Sequence, residues 1–297
     1  MIPAKSLICM AEESDSPINR FSSTIIGGRY HVLEALGTGS YSFVHLGEDM
    51  ATKKRCAIKV MSVKNEEHIQ AAENEVTALR RVSRVPAVAS LLEVESTDEN
   101  MFIVTEYGGS TSLQALVNRF QYRGLDPASL RRVASGLLKA IRQCHRHGVA
   151  HCDVKLDNIL FTQGAVTLID FGSAFVEGRQ NNTRLGSVAF RPPESFSEDF
   201  KLDARAAELI DAWGVGLSLF CAARGIYPFD GASMFELIND IRRVNLDQLF
   251  QDFENDQLAE MLRGLMAPVD RRWTVEKALR SRYMSPTKTK VLGFLGL

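Results

Sequence analysis

The stretch HCDVKLDNILF, residues 151–161, sets a carboxylate, an amine and an amide at steps of two and three: Asp153, Lys155 and Asn158. A carboxylate can accept a hydroxyl proton, an ammonium can hold a phosphate oxygen, and an amide oxygen can ligate a hard cation. A plain polar loop would have the same residue types, so the spacing matters more than the composition. A second carboxylate, Asp170, follows the strand-like VTLI and precedes Phe171-Gly172. Cys152 stands directly beside the first Asp.

Elements on either side must hold these groups. From Tyr30 to about Leu92, the runs YHVLEAL, YSFVHLGE and RCAIKVM are β-branched, aromatic and broken by Gly, as in an antiparallel meander. One helical segment interrupts them, NEEHIQAAENEVTALRRV, in which Ile69, Ala72, Val76, Leu79 and Val82 recur at helical spacing. A further strand, Met101 to Thr105, leads to Gly108-Gly109, a connector between lobes. Beyond it the pattern is helical. Asp126-Pro127 reads as an N-cap with proline at the first helical position. Leu130, Val133, Leu137, Ile141 and Cys144 form one stripe, and Gly148 sits where that helix would stop. The expectation is a small β-rich lobe and a larger helical lobe with a crevice at the connector.

Composition sets outer bounds. The chain has 297 residues with a formal net charge of −1, which gives no bulk attraction to nucleic acid or to an anionic membrane. Arg131-Arg132 and Arg271-Arg272 are expected to be solvated or structural. Five cysteines show no CxxC pair and no His at zinc spacing. This predicts a reduced intracellular protein, cytoplasmic and/or nuclear, without disulfides or structural zinc. The start, MIPAKSLICMAEESD, lacks the apolar length of a signal peptide. The uncharged run Ala212 to Ala223 falls short of the about 20 residues of a membrane span and reads as a buried helix.

Taken in order, these motifs resemble a eukaryotic protein kinase catalytic domain of the serine/threonine kind, over residues of about 30 to 283. Gly37-Thr38-Gly39-Ser-Tyr-Ser42-Phe-Val44 resembles the family's Gly-rich loop, with Ser42 where a third Gly is usual. Because it leads into the strand-like FVHL, a dinucleotide-binding fingerprint, which would open a helix, is disfavoured. Cys56-Ala57-Ile58-Lys59 resembles the strand whose lysine meets the α- and β-phosphates. Such a lysine needs a carboxylate. At 100° per residue from Ile69, the helix's apolar face spans about 180–340°, with Glu75 near about 240° and Glu73 near about 40°. A glutamate amid an apolar face needs a partner, so Glu75 is expected to meet Lys59 and Glu73 to be solvated.

The resemblance further implies Asp153 as the base for the substrate hydroxyl and Lys155 at the γ-phosphate. Asn158 and Asp170 would hold Mg2+ bridging the phosphates of ATP. Thr105 would be the gatekeeper, Glu106 to Gly108 the adenine-binding hinge, and Val44, Ala57 and Leu160 would line the nucleotide. His151 takes a packing role. Pro192-Pro193-Glu194 stands for the family's A-P-E, with Arg272 as its partner. Asp211 in DAWGVG would accept catalytic-loop N–H groups from a buried helix start. The implied fold is α+β and bilobal: a tail over 1–26, a kinase domain over 27–284 (lobes at about 27–106 and 109–284), and a tail over 285–297.

Departures shape the functional expectation. Cys152 replaces the family's arginine, which commonly binds an activation-loop phosphate. Activity is therefore expected not to depend strongly on phosphorylating Thr183, although Arg179 and Arg184 could stand in as partners. A redox role for Cys152 is disfavoured by the neighbouring Asp153 carboxylate. Ser187 keeps a hydroxyl that could bridge Asp153 and Lys155. Asp157 sits where arginine-directed relatives often have a glutamate, but Ser112 and Cys221 lack their further carboxylates, so no strong preference for basic substrates is expected. Ser285-Pro286-Thr287-Lys288 matches a proline-directed phosphorylation pattern. The apolar VLGFLGL could dock a regulatory partner or pack on its own domain.

The expected activity is γ-phosphate transfer from Mg-ATP to Ser/Thr hydroxyls of protein substrates. The alternative is a nucleotide-binding pseudokinase acting as scaffold or allosteric partner. Lys59, Glu75, Asp153, Asn158 and Asp170 are all present, which favours the enzyme.

Overall fold

The computed structural model describes residue 21 and residues 24–38, 42–179 and 185–285. The chain divides into two compact units, one from the described parts of Met1–His68 and Leu92–Tyr107, the other from Ile69–Leu91 and Gly108–Leu297.

The first unit is built on a sheet of β1 (Ile25–Ile26), β2 (Tyr30–Thr38), β3 (Ser42–Asp49), β4 (Arg55–Ser62), β5 (Leu91–Ser96) and β6 (Asn100–Glu106). Their order is β1-β2-β3-β4-β6-β5, with β1 to β4 and β6 antiparallel to their neighbours, as the meander pattern predicts. Side chains alternate between faces along a strand. Cys56, Ile58 and Val60 of β4 and Phe102 and Val104 of β6 therefore share one face, where Ile26, Tyr30 and Val32 bury them. Phe21 packs on the same cluster, edge-on to Phe102 at 5.6 Å between ring centroids.

Helix α1 (Glu66–Val82) starts after Asn65, whose Oδ1 accepts the His68 N–H at 2.9 Å. From Ile69 onward α1 belongs to the second unit. There follow α2 (Leu113–Arg119) and α3 (Pro127–Arg146). Asp126 caps α3 through the N–H groups of Ala128 and Ser129, with Pro127 at the first position. The predicted stripe from Leu130 to Cys144 is buried, and the chain leaves the helix through Gly148 at φ +66°.

Four short strands then position the chemistry: β7 (Val149–Ala150), β8 (Ile159–Thr162), β9 (Ala165–Leu168) and β10 (Phe175–Val176). β7 pairs with β10, and β8 with β9, both antiparallel. The β8–β9 hairpin turns through Gln163 and Gly164, both at positive φ, as its two-residue loop requires. Asn158 and Asp170 flank its two ends, and Ile169 N–H donates to the Asn158 carbonyl at 3.0 Å. Turning the hairpin closes the sequence gap between the two expected metal ligands.

The remaining helices are α4 (Ala204–Arg224), α5 (Met234–Arg242), α6 (Leu246–Leu249), α7 (Asp256–Leu265) and α8 (Val275–Leu279). α4 is apolar and long enough to span a membrane by composition, but 83% of that stretch is buried in the protein. It is a core helix, as expected for Ala212 to Ala223. One correction concerns it. α4 begins at Ala204 after the cap Asp203, so Asp211 lies about two turns inside the helix rather than at its start. Glu73 is exposed, as expected, and adds a surface ion pair with Arg179, Oε2 to Nη2 at 3.6 Å.

Candidate active site

Within the second unit, the 151–161 stretch forms one hydrogen-bonded loop. Asp153, only 8% exposed, accepts from Lys155 Nζ at 2.8 Å and from Asn158 Nδ2 at 3.2 Å through Oδ2. Its Oδ1 accepts the Ser187 N–H at 2.7 Å. Asn158 Nδ2 also donates to the Asp153 carbonyl at 2.9 Å. Ser187 Oγ accepts from Lys155 Nζ at 2.7 Å, the bridge its hydroxyl suggested.

His151 is buried and held by its neighbours. The Asp153 N–H donates to Nδ1 at 3.2 Å, so Nε2 carries the proton and donates to the Ile169 carbonyl at 3.0 Å. A ring with both nitrogens engaged is a brace, which matches the packing role expected of it. Phe171 packs against this ring, tilted by 59° with ring centroids 4.7 Å apart, and is fully buried.

Asp211 reaches the loop from inside α4. Its Oδ2 accepts the His151 N–H at 2.8 Å and its Oδ1 the Cys152 N–H at 2.7 Å. His145 Nε2 lies 2.7 Å from the same Oδ2. Being far from the helix N-terminus, the buried carboxylate is matched by these donors and not by the helix dipole, whose effect fades within the first turn.

Two non-glycine residues here adopt left-handed backbone, Cys152 at φ +57° and Asp170 at φ +63°. Each such residue costs about 1–2 kcal/mol, and residues held this way cluster at functional sites. Asp170 presents an exposed carboxylate, with Oδ1 accepting the Gly172 N–H at 3.3 Å.

The residue in the arginine position, Cys152, lies in a cluster with Ala150, Ala207 and Ile210, packed against Phe175, Leu185, Phe200 and Leu202. Burial pushes its thiol well above the ordinary value, with Asp211 reinforcing the shift and Asp153 contributing least. Desolvation, and not Asp153, is the main cause of that shift. Arg191, half buried nearby, donates to the carbonyls of Gly186 and Leu185 at 2.7 Å each. Gly186 lies against Asp153, where a Cβ would overlap the carboxylate.

The first unit carries the other expected residues. Strand register pairs Val44 with Lys59 and Ala57 with Thr105. Val44, Ala57, Lys59 and Thr105 therefore share one half-buried face, opposite the apolar cluster. Glu106 is exposed at the end of β6, Gly37 and Thr38 end β2, and Gly39 lies outside the described residues. Ser42 is a buried β3 residue paired with Met61, not an exposed loop side chain. In the second unit Glu75 is 2% exposed on α1, inside the predicted apolar arc. Gly108 packs against Leu160 and Thr167, which are paired across β8 and β9.

Asn158 has given its Nδ2 hydrogens to Asp153, which leaves Oδ1 as the oxygen for a cation. Among the described residues no group of three or more His, Cys, Asp or Glu could hold a metal alone. Magnesium is ordinarily held by one or two carboxylates together with substrate phosphates. One amide oxygen and one exposed carboxylate, Asn158 and Asp170, fit that need.

Further out, Glu194 and Arg272 form the expected pair, bidentate at 2.5 and 2.9 Å, with the Arg272 side chain fully buried. Arg272 also donates to the carbonyls of Leu209 and Ala267 and lies 5.2 Å from the Trp213 ring centre. Cys221 is buried in α4, and Ser112 caps α2 through the Ala115 N–H. Thr183, Arg184 and the segment VLGFLGL lie outside the described residues.

Three residues escaped the sequence reading, His145, Gly186 and Asn74, and Arg179, expected as a phosphate partner, bonds to Glu73 and Thr77 of α1. Asn74 falls outside the apolar arc of α1 yet is buried, because its Nδ2 donates to the Ala174 carbonyl at 2.7 Å. No periodicity could have signalled a partner a hundred residues away.

Comparison with known proteins completes the picture. A model of the protein kinase domain matches residues 30–284. The CBL-interacting serine/threonine-protein kinase 7 of Arabidopsis thaliana is 30% identical over 271 residues, covering 87% of this chain and 61% of that protein. The serine/threonine-protein kinase stk11 homolog of Dictyostelium discoideum is 31% identical over 280 residues, covering 88% of this chain and 46% of that protein. The sperm motility kinase Z of Mus musculus is 29% identical over 235 residues, covering 78% of this chain and 45% of that protein. The chain spans about half the length of the curated relatives it matches. With a β-sheet lobe, a helical lobe and this matched span, the chain belongs to the protein kinase family, among relatives of the serine/threonine kind.

Proposed function

We propose that the chain transfers the γ-phosphate of ATP to serine and threonine hydroxyls of proteins, with little dependence on activation-loop phosphorylation. The observation that carries this is the set of bonds on Asp153. A carboxylate offers about four acceptor sites. Lys155 and Asn158 take two on Oδ2, and Ser187 N–H takes one on Oδ1. The remaining site is on Oδ1, which makes it the oxygen to receive the hydroxyl proton. Lys155, shared by Asp153 and Ser187, sits where its ammonium can hold a phosphate oxygen and orient the base at once. Asn158 and Asp170 are the residues to hold magnesium, which when bound would neutralise charge on the phosphates. Lys59, with Val44, Ala57 and Thr105 on its sheet face, is assigned to the nucleotide, together with Gly37, Thr38, Glu106, Gly108 and Leu160. Glu75 is its expected orienting carboxylate.

Independence from phosphorylation rests on Cys152. An apolar cluster occupies the position from which an arginine would reach a phosphate. The substrates are proteins, residues 285–297 are assigned to a regulatory partner, and the site of action is placed inside the cell. The free thiols of Cys56, Cys144, Cys152 and Cys221 support that placement.

The test is transfer of γ-phosphate from Mg-ATP to generic protein substrates, beside Asp153→Asn and Asp170→Asn. Asp153→Asn should lose about 10² to 10⁴ in turnover while staying folded. Unchanged turnover would remove Asp153 from its role. Thr183→Ala and phosphatase-treated protein should keep most of the activity, and loss of it would sink the claim of independence. No transfer, with Mg-ATP still raising the melting temperature, would instead indicate a nucleotide-binding scaffold.

A further inference from the structure

We infer that Asn74 and Arg179 are positioning residues: they clamp α1 to residues 174–179 and so hold Glu75 in register without a phosphate. This deepens the proposed function and rests on its assignment of Glu75.

The clamp has three parts. Asn74, buried on α1, donates Nδ2 to the Ala174 carbonyl at 2.7 Å. Arg81, further along α1, donates Nη1 to the Glu177 carbonyl at 2.9 Å. Arg179 reaches back, donating Nη1 to the Glu73 carbonyl at 3.3 Å and to Thr77 Oγ1, with Nη2 at 3.6 Å from the Glu73 carboxylate. At 100° per residue, positions 73, 74, 77 and 81 fall within an arc of about 100°, so one stripe of α1 makes every bond. Glu75 follows Asn74 directly and cannot turn about the helix axis while that stripe is held.

The other side of the clamp is fixed as well. Phe175 and Val176 pair with Ala150 and Val149, and the Glu177 N–H donates to the Gly148 carbonyl at 2.8 Å. Those residues run directly into His151 and Asp153. The helix bearing Glu75 is thus tied through 174–179 to the strand that leads into the catalytic loop. Arg179 and Glu73 are exposed enough that their ion pair alone would hold little. The bonds to the helix backbone and to Thr77, and the buried Asn74 amide, make the attachment.

The experiment measures hydrogen exchange of the α1 amides and steady-state transfer on phosphatase-treated full chain. Wild type is compared with Asn74→Ala, Arg179→Ala, Arg179→Lys and Thr77→Val, the last removing an acceptor without touching residue 179. Both alanine variants should speed α1 exchange about ten-fold and lower kcat of the folded protein about ten-fold, with KM for protein substrate unchanged. Arg179→Lys should recover most of the loss, and Thr77→Val should reproduce part of it. If Asn74→Ala does not fold, Arg179→Ala and Thr77→Val decide. Unchanged α1 exchange, or a kcat that falls only with the folded fraction, overturns the clamp. A wild type that transfers no phosphate sinks the proposed function instead, and α1 exchange in the same variants still decides whether the clamp exists.

Discussion

Asp211 receives the N–H of Cys152 at 2.7 Å, and so a carboxylate from the core of α4 holds a residue that stands in left-handed backbone. The same carboxylate takes the His151 N–H and faces His145, so three donors converge on two oxygens. The strain at Cys152 persists because this acceptor fixes both N–H groups on its N-terminal side. Turning the chain there is what delivers Asp153 to Lys155, Asn158 and Ser187.

Asp211→Asn keeps the size but sets an amide –NH2 against at least one of these donors. The cost expected is about 1–3 kcal/mol in a urea titration. Loosening residues 151–153 should also reduce turnover about 10²-fold, since small misplacements of a catalytic group are that costly. Wild-type turnover in a folded Asp211→Asn would show that the loop holds its own shape.

Glu194 and Arg272 should behave as a structural pair. Arg272 is fully buried at its side chain and bonds to two carbonyls besides Glu194. Arg272→Ala leaves Glu194 without its partner and is expected to cost about 3–5 kcal/mol in equilibrium unfolding. A loss below about 1 kcal/mol would place the pair with ordinary surface ion pairs.

The chemistry was the most legible part of this sequence, since Asp153, Lys155, Asn158 and Asp170 lie within twenty residues and one hairpin gathers them. The β strands were legible for a similar reason: each carries its own alternation, and register then put Val44, Ala57, Lys59 and Thr105 on one face. Position along a helix was harder. The charges of Arg205 and Glu208 in ARAAEL hid the true start of α4, whose N-cap is Asp203. Long-range partners were not legible at all. Asn74 carries no signal in its own segment, and Arg179 reads as a candidate phosphate ligand, until the chain brings residues 174–179 to α1.

The buried thiols predict a loss of stability in alkali. Burial raises Cys144 and Cys221 above the ordinary value of 9.0, so the folded protein keeps protons that the unfolded chain gives up. Their contribution is complete below pH 9.0 and is lost as pH rises beyond it. In urea titrations from about pH 8 to about pH 10, wild type should fall more steeply than Cys221→Ala, by up to about 1.4 kcal/mol per pH unit. A small cavity in the variant would shift its whole curve and not its slope, so parallel curves would rule out the thiol as the source.

Gly186 gives the most direct test of which Asp153 oxygen works. Its backbone passes so close that a Cβ would overlap the Asp153 side chain at Cβ, Cγ and Oδ1 alike, while its N–H lies 3.3 Å from the Cys152 carbonyl. Its φ is not in the positive range, so alanine there carries no backbone strain and acts through the methyl alone. Gly186→Ala must push residues 185–187 away from the catalytic loop or rotate Asp153. Either movement breaks the Ser187 N–H bond to Oδ1 and crowds the acceptor site assigned to the hydroxyl proton. The expectation is a loss of about 10² or more in kcat with nucleotide affinity retained, because the nucleotide residues on β3 and β4 are untouched. Equal losses in Asp153→Asn and Gly186→Ala, and no further loss in the double variant, would show that both act on the same oxygen. Full turnover in Gly186→Ala would mean the proton leaves by another route than Oδ1.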